Sequence, residues 1–431
     1  MFDSFKDAVK LPDLKRRFLF VLGALFVYRL GALIPTPGIN AAALSRLFEQ
    51  SGILGFLDLF AGGALSRFGI FALGVTPYIN SSIVMQLLAV VIPSLEKMMK
   101  EGGPEGQKKM VQYTRFGTII FAVVQALGLT GWLRSAGIFE GSWIDVCVVT
   151  LTLTTGAMAV MWLGELMSDH GIGNGISMLI FAGIVARIPD AVIRTFQLLK
   201  LGELNLIVFF IAIIFMLAVV AGCILLQEGQ RRLPVQYAKR VVGNKMYGGQ
   251  STFIPLRVNT ASVIPIIFAS SILLFPYTIA GFFHGPIAQR IVQWFSPTNP
   301  VYMILYVILI IFFGFFYTAV VFKPEEIADN MKKNGGFILG IRPGKPTQEY
   351  IEKVMERVTL AGSVALAIIA VVPTIMTSVL SIHSFYFGGT AVIIVVGVAL
   401  DTVHEIEAQL LMRHYQGILK RQNKTGGLLR L

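Results

Sequence analysis

Side chains suited to proton transfer, metal binding or thiol chemistry are thinly spread in this 431-residue chain. The five histidines, His170, His284, His383, His404 and His414, lie far apart or on different helix faces. Cys147 and Cys223 both fall inside apolar runs and read as small buried hydrophobes, with neither metal spacing nor a disulfide framework. The glycines of "GIGNGIS" (Gly171 to Ser177) imitate part of a dinucleotide fingerprint but follow an apolar helix rather than a strand, so they read as a tight turn. No G-x-x-x-x-G-K-[ST] frame occurs, so nucleotide hydrolysis is not expected of this chain, nor is any cofactor or metal. Within the apolar runs, Arg29, Glu165, Asp401, His404, Glu405 and Glu407 are nearly all the ionisable groups, and most stand near the run ends. An ion-coupled transporter usually carries such groups at mid-depth. Asp401 and Glu405 read as the polar end of the last run.

The remaining chemistry is steric. Ile79 and Ile83 are four apart, as are Ile180 and Ile184, so each pair shares one face of a helix. Stiff, β-branched side chains gathered at a constriction exclude water and ions by dewetting, yet offer passing cargo no hydrogen bonds. Spacing alone does not separate that role from a core or lipid-facing one.

These residues must be carried by membrane helices. The chain is 55% hydrophobic and 14% charged, with a mean hydropathy of +0.73. Ten runs of about 20 nearly uncharged residues, each long enough to cross roughly 30 Å of hydrocarbon, span about 18–34, 76–93, 116–133, 146–167, 176–193, 205–226, 261–280, 301–321, 358–378 and 388–411. With both termini cytoplasmic, 28 of the 36 lysines and arginines fall on the cytoplasmic side. The net charge of +12 therefore belongs mostly to one face. The basic start is read as leading into a retained first helix, not a cleaved signal.

Two segments echo each other. "GVTPYINSSI" (Gly74 to Ile83) and "SVIPIIFASS" (Ser262 to Ser271) align Val75, Pro77, Ile79 and Ser82 with Val263, Pro265, Ile267 and Ser270. They open the second and seventh runs, which cross in opposite directions in this topology, as in inverted-repeat membrane proteins. Before the first of them, "FLDLFAGGALSRFGIFALG" (Phe56 to Gly74) is too broken by glycines for a span and too apolar for a solvent loop. It reads as a re-entrant helical piece near 60–73 that ends at Gly74, with Thr76 capping the next helix and Pro77 in its first turn.

Residues 1–17 suit a short amphipathic helix on an anionic membrane surface. Three cytoplasmic segments exceed what connection requires. Ser94 to Arg115 reads as flexible and basic. Gln227 to Asn259 alternates basic, aromatic and β-branched residues and is expected to protrude as a hairpin. Lys323 to Arg357 reads as helix, a Gly/Pro-rich tip around Arg342, then helix.

"GGALSRFGIFALGVTPYINSSIVMQLL", "MWLGELMSDHGIGNGISMLIFAGIVA", "GQRRLPVQYAKR", "QSTFIPLRVNTASVIPIIFASSILLFP" and "FYTAVVFKPEEIADNMKKNGGFILGIRPG" together resemble the SecY family, channel subunits of the bacterial protein-secretion translocon. Ser262 departs from the pattern, which has glycine before "VIP". The resemblance implies an all-α polytopic fold: ten transmembrane helices in two inverted five-helix halves around an hourglass pore. It implies a pore ring of Ile79, Ile83, Ile180, Ile184, Ile267 and Ile394. It also implies a plug near 60–74 with Phe60, Leu65, Arg67, Ile70 and Leu73, and a lateral gate with Gln86, Gln125 and Phe275. Docking of the ribosome or the SecA motor would fall on Arg240, Lys245, Arg342 and Lys345. SecE and SecG would be partner subunits, and signal sequences, unfolded preproteins and membrane lipid the other partners.

The expected organisation is a cytoplasmic segment 1–17, an N-terminal half 18–193, a hinge loop 194–204, a C-terminal half 205–411 with cytoplasmic loops about 227–260 and 322–357, and a tail 412–431. The expected function is a non-enzymatic channel of the bacterial inner membrane that passes unfolded polypeptides and releases apolar segments sideways into lipid. A secondary transporter for a small solute is the alternative that inverted halves also allow.

Overall fold

The computed structural model describes residues 12–37, 58, 61–135, 137–139, 141–202, 205–237, 240–242, 245–247, 251–281, 285–296, 299–379 and 389–426. Phe60, His284, His383 and the expected surface helix before residue 12 lie outside them. Each of the ten apolar runs is mostly helical. Among the described residues, by length and composition alone, seven helices qualify as spans, eight with one bent pair. The first helix falls short because it carries Lys15, Arg16, Arg17 and Arg29, and Ile264–Pro276 is apolar but shorter. The chain divides into two compact units: Met1–Gln197 with Thr278–Ala288 and Ile394–Leu431, and Leu198–Tyr277 with Gln289–Ile393.

In the first unit, α1 (Pro12–Leu33) buries Leu14, Val21, Ala24, Tyr28 and Ala32 along one stripe and exposes Phe18, Leu22, Phe26 and Leu30. A helix apolar on both its packed and its exposed face suits lipid rather than water. α2 (Thr76–Val91) has Pro77 in its first turn. Thr76 is its first helical residue and not its cap; Val75 takes the cap position without a side-chain bond. The Thr76 amide donates to the Leu73 carbonyl in the preceding turn, and Pro77 at the second position has no amide hydrogen to cap. α3 (Pro93–Glu101) bends 104° away from α2.

α4 (Gly103–Ser135) starts well before the apolar run it carries. The segment Ser94 to Arg115, expected to be flexible, is therefore mostly helical; its Lys, Glu, Met and Gln are good helix formers, and the break falls at Gly102–Gly103, with Gly103 at φ +51°. α5 (Trp143–His170) begins with a capping box between Ser142 and Asp145. α6 (Gly175–Val185) is capped by the Asn174 side chain, which accepts from the Ser177 amide. The fifth run does not continue unbroken: α7 (Ile188–Leu201) restarts after Arg187, where Pro189 lacks an amide hydrogen for the ladder. α7 also occupies most of the segment expected as the 194–204 loop.

The second unit contains α8 (Leu206–Glu228), α9 (Ile264–Gly281) up to Tyr277, α10 (Pro286–Trp294) from Gln289, α11 (Pro300–Val321), α12 (Pro324–Lys333) and α13 (Lys345–Val379). α14 (Gly389–Gly426) begins in this unit and passes into the first at Ile394. α11 and α13 cross closely at Gly314, where a Cβ would collide with the Ser363 hydroxyl. Between α8 and α9 the expected hairpin forms: β1 (Gln230–Tyr237) pairs antiparallel with β4 (Ser251–Arg257), Leu233 opposite Ile254. The short strands β2 (Arg240–Val242) and β3 (Lys245–Tyr247) pair with each other between them. β5 (Gly336–Phe337) adds to the other edge of β1, giving the order β4-β1-β5. Two loops that look separate in the sequence are thus one small body. Its core is Leu233, Val235 and Leu256 from the strands with Met331, Ile338, Ile351 and Met355 from the second loop.

Candidate functional site

The repeated opening is repeated in backbone conformation. Gly74 lies at φ +52° and its counterpart Ser262 at φ +53°. After each, one turn bond forms, from the Thr76 amide to Leu73 and from the Ile264 amide to Ala261, both 3.3 Å. The first helical bond follows in the same register: Ile79 donates to Val75 at 3.0 Å and Ile267 to Val263 at 3.2 Å. The two isoleucines therefore occupy the same place relative to a left-handed hinge residue, one in each unit. All six isoleucines singled out in the sequence, Ile79, Ile83, Ile180, Ile184, Ile267 and Ile394, are 6% exposed or less, so none presents its side chain to the outside.

Residues 61–75, expected to hold a re-entrant helical piece, form a chain of tight turns instead. Amides of Ala64, Phe68, Ala72 and Gly74 bond carbonyls three residues back. Gly62 (φ +65°), Gly63 (φ +84°) and Phe68 (φ +45°) interrupt any regular ladder. The segment packs into the core of the first unit. Leu65 and Leu73 are buried with Ala64, Phe68 and Ala72 against Ala122, Ala126, Leu153 and Ala157 of α4 and α5, while Ile70 is half-buried and Arg67 exposed. Gly156 of α5 sits against the Ile70 carbonyl, leaving no room for a Cβ. Gly62 abuts Gly183 of α6, between Ile180 and Ile184 in the chain; a Cβ on Gly62 would come within 2.9 Å of the Gly183 Cα.

Polar bonds tie this segment to its surroundings. Arg29 Nη1 donates to the Gly62 carbonyl at 2.7 Å and the Tyr28 hydroxyl to the Ala61 carbonyl at 3.3 Å. Thr36 and Ile70 amides bond across a short antiparallel bridge to Phe68 and Ile34. Asp58 is wholly buried: Oδ1 accepts from the Leu65 and Ser66 amides, and Oδ2 pairs with Arg187 Nη2 at 2.6 Å. Sequence reasoning missed this pair. The available signal was a lone carboxylate in an apolar stretch whose other charge is Arg67, and a lone arginine at the break in the fifth run.

Of the gate candidates, Gln86 and Gln125 are half-buried in the first unit, and Gln86 donates to the Ser82 hydroxyl at 3.1 Å. Phe275 is half-buried in the second. α2 and α4 approach closely because Gly117 lies against the Ser81 hydroxyl, which bonds the Thr114 carbonyl at 2.7 Å. Arg115 of α4 then forks onto Glu165 of α5 at 3.0 and 2.8 Å, a pairing that nothing in the sequence announces.

Arg240 opens β2 and Lys245 opens β3; their side chains lie outside the described residues. Arg342 and Lys345 are exposed at a tip turned by Gly340 (φ +80°) and Gly344 (φ +104°), which the Thr347 hydroxyl braces by donating to the Arg342 carbonyl at 2.8 Å. The segments that carry these four residues meet through β1 and β5. Among the described residues, no three His, Cys, Asp or Glu side chains gather as a metal site.

The family model SecY matches residues 69–403. The protein translocase subunit SecY of Escherichia coli K12 is 45% identical over 427 residues, covering 96% of each chain. A solved protein conducting channel superposes with a TM-score of 0.68 at 19% identity, covering 91% of this chain and 92% of that one. Sec61 in the canine ribosome-channel complex from the endoplasmic reticulum gives 0.63 at 18% identity over the same shares. At such identities the two structures speak for the fold alone.

Proposed function

The chain belongs to the SecY family, and we propose that its conducting path is closed at the waist by six isoleucines and from one side by the turn segment 61–75. The protein is a multi-pass, non-enzymatic channel of a bacterial membrane that conducts polypeptides. The small-solute transporter is displaced as a reading, because the relatives matched over nearly the whole chain are protein translocase subunits.

The finer reading rests on one observation: the same left-handed opening precedes Ile79 in one unit and Ile267 in the other. In the inverted halves of this reading, two openings of one conformation would set matched side chains at matched depth. Ile79, Ile83, Ile180, Ile184, Ile267 and Ile394 then form a ring that sheds water yet cannot grip a passing chain. Segment 61–75, with Leu65, Arg67, Ile70 and Leu73, is the plug of the idle state. Gln86, Gln125 and Phe275 line a lateral gate through which apolar segments partition into lipid. Each leucine-like residue favours the bilayer centre by a few tenths of a kcal/mol, whereas one charge costs about 3 kcal/mol.

SecE and SecG are the partner subunits of this reading, with both termini in the cytoplasm. No Walker motif is present in the sequence, so energy comes from a partner, SecA or the ribosome, docked on the sheet-bearing body at Arg240, Lys245, Arg342 and Lys345. Reconstitution of the purified complex into vesicles with SecA, ATP and an unfolded precursor should yield protease-protected precursor inside. In the same vesicles, Ile79→Ser with Ile267→Ser should raise resting ion leak. An assembled complex that protects no precursor would overturn the function, and unchanged leak in the double variant, with 61–72 also removed, would overturn the ring.

A further inference from the structure

Segment 61–75 is a succession of turns rather than a relaxed helix, and one of its residues, Phe68, holds a left-handed φ of +45° that an L side chain rarely adopts. Such a conformation persists only where the surroundings over-determine it. Three groups outside the segment hold its first residues: the Arg29 guanidinium on Gly62, the Tyr28 hydroxyl on Ala61 and, through Asp58, the Arg187 guanidinium. The third differs in kind. The Asp58 side chain has no solvent exposure, so its charge depends on the two amides of Leu65 and Ser66 and on Arg187. Arg187 stands in the break between α6 and α7, one turn beyond Gly183, the residue that Gly62 abuts.

We propose that Asp58 and Arg187 are positioning residues for transport, a latch that ties the plug to the break in the fifth span and must part before the segment leaves its seat. This rests on the reading of 61–75 as a plug. The pair joins two parts of the chain 129 residues apart, and the Arg187 side chain is 29% exposed. When the pair parts, the guanidinium can take up water, but the carboxylate must leave its buried site to do so. The bond therefore favours the seated segment, and whatever moves the fifth span at its break also pulls on the plug.

Asp58→Asn isolates the latch, because the amide oxygen still accepts from Leu65 and Ser66 while the charge is gone. In vesicles holding the assembled complex, this variant should raise resting ion conductance roughly tenfold or more and improve transport of a precursor with a weakened signal sequence. Arg187→Lys, which keeps the charge, should stay near wild type. Arg187→Gln added to Asp58→Asn should add little, since both act through one bond. Wild-type leak and signal dependence in folded Asp58→Asn would overturn the latch, as would a double variant equal to the product of two independent effects. If Asp58→Asn does not assemble, Arg187→Gln takes its place: raised leak with relaxed signal dependence supports the latch, and wild-type values of both overturn it. Transport by the wild-type complex in the same preparation separates the two levels of the argument. Its absence counts against the channel function, whereas normal transport with unchanged leak in the variants counts against the latch alone.

Discussion

Ser262 carries a side chain where the backbone, at φ +53°, would favour glycine, as Gly74 provides at the matching position. The left-handed region costs an L residue roughly 1–2 kcal/mol, and glycine gives back about 0.5–1 kcal/mol in chain entropy on folding. Ser262→Gly should therefore stabilise the protein by about 0.5–1 kcal/mol, read as a higher melting temperature of the purified complex. An unchanged or lower value would mean that interactions of the Ser262 side chain, which glycine lacks, offset the strain. At this scale an i, i+4 pair and an aligned repeat single out Ile79, Ile83, Ile180, Ile184 and Ile267 in the sequence, whereas Ile394 enters only with the family resemblance. Asp58 and Arg187 were not legible, because nothing in either local stretch names a partner 129 residues away.

Among elements, the sheet-bearing body departs furthest from a residue-by-residue reading. The hairpin and the helix–tip–helix segment were each recognisable from composition and turn residues. Their union was not, since it depends on Gln236 and Tyr237 pairing with Phe337 and Gly336, two residues of strand with no alternating pattern to advertise them. Ile351, wholly buried on α13, packs in the core that joins them. Ile351→Ala should destabilise this body by about 2–5 kcal/mol, seen as faster protease cleavage within 230–257 while the membrane helices stay protected. Equal cleavage rates would show that the strands hold without that core. The Ser94 to Arg115 segment teaches the reverse lesson: charge and glycine read as flexibility, but good helix formers on either side of Gly102–Gly103 leave only one hinge.

Across the whole molecule, hydropathy located the long apolar helices, because lipid demands about 20 apolar residues in a row whatever the fold. It did not locate the break at Arg187, since the apolar pattern runs on to residue 193 and only Pro189 marks the restart. Nor did it foresee that Ile394–Leu431 would belong to the compact unit of the N-terminal helices. There Leu14, Ile172 and Ile406 share a small core, and the Thr402 hydroxyl lies 3.6 Å from Met178 Sδ. The basic residues argue that both ends face the cytoplasm. A reporter active only in the cytoplasm, fused after Leu431, should be active, and one active only outside should be silent; the opposite result would invert the topology.

The ion pair between Asp58 and Arg187 also orders events in time. A ribosome adding about 5–20 residues per second needs roughly 6 to 26 s to make the stretch between them, and for that interval the carboxylate has been synthesised without its cation. A newborn copy therefore cannot bury Asp58 as an ion pair until the fifth apolar run has emerged, so segment 61–75 is fastened late, after the helices that surround it have been made.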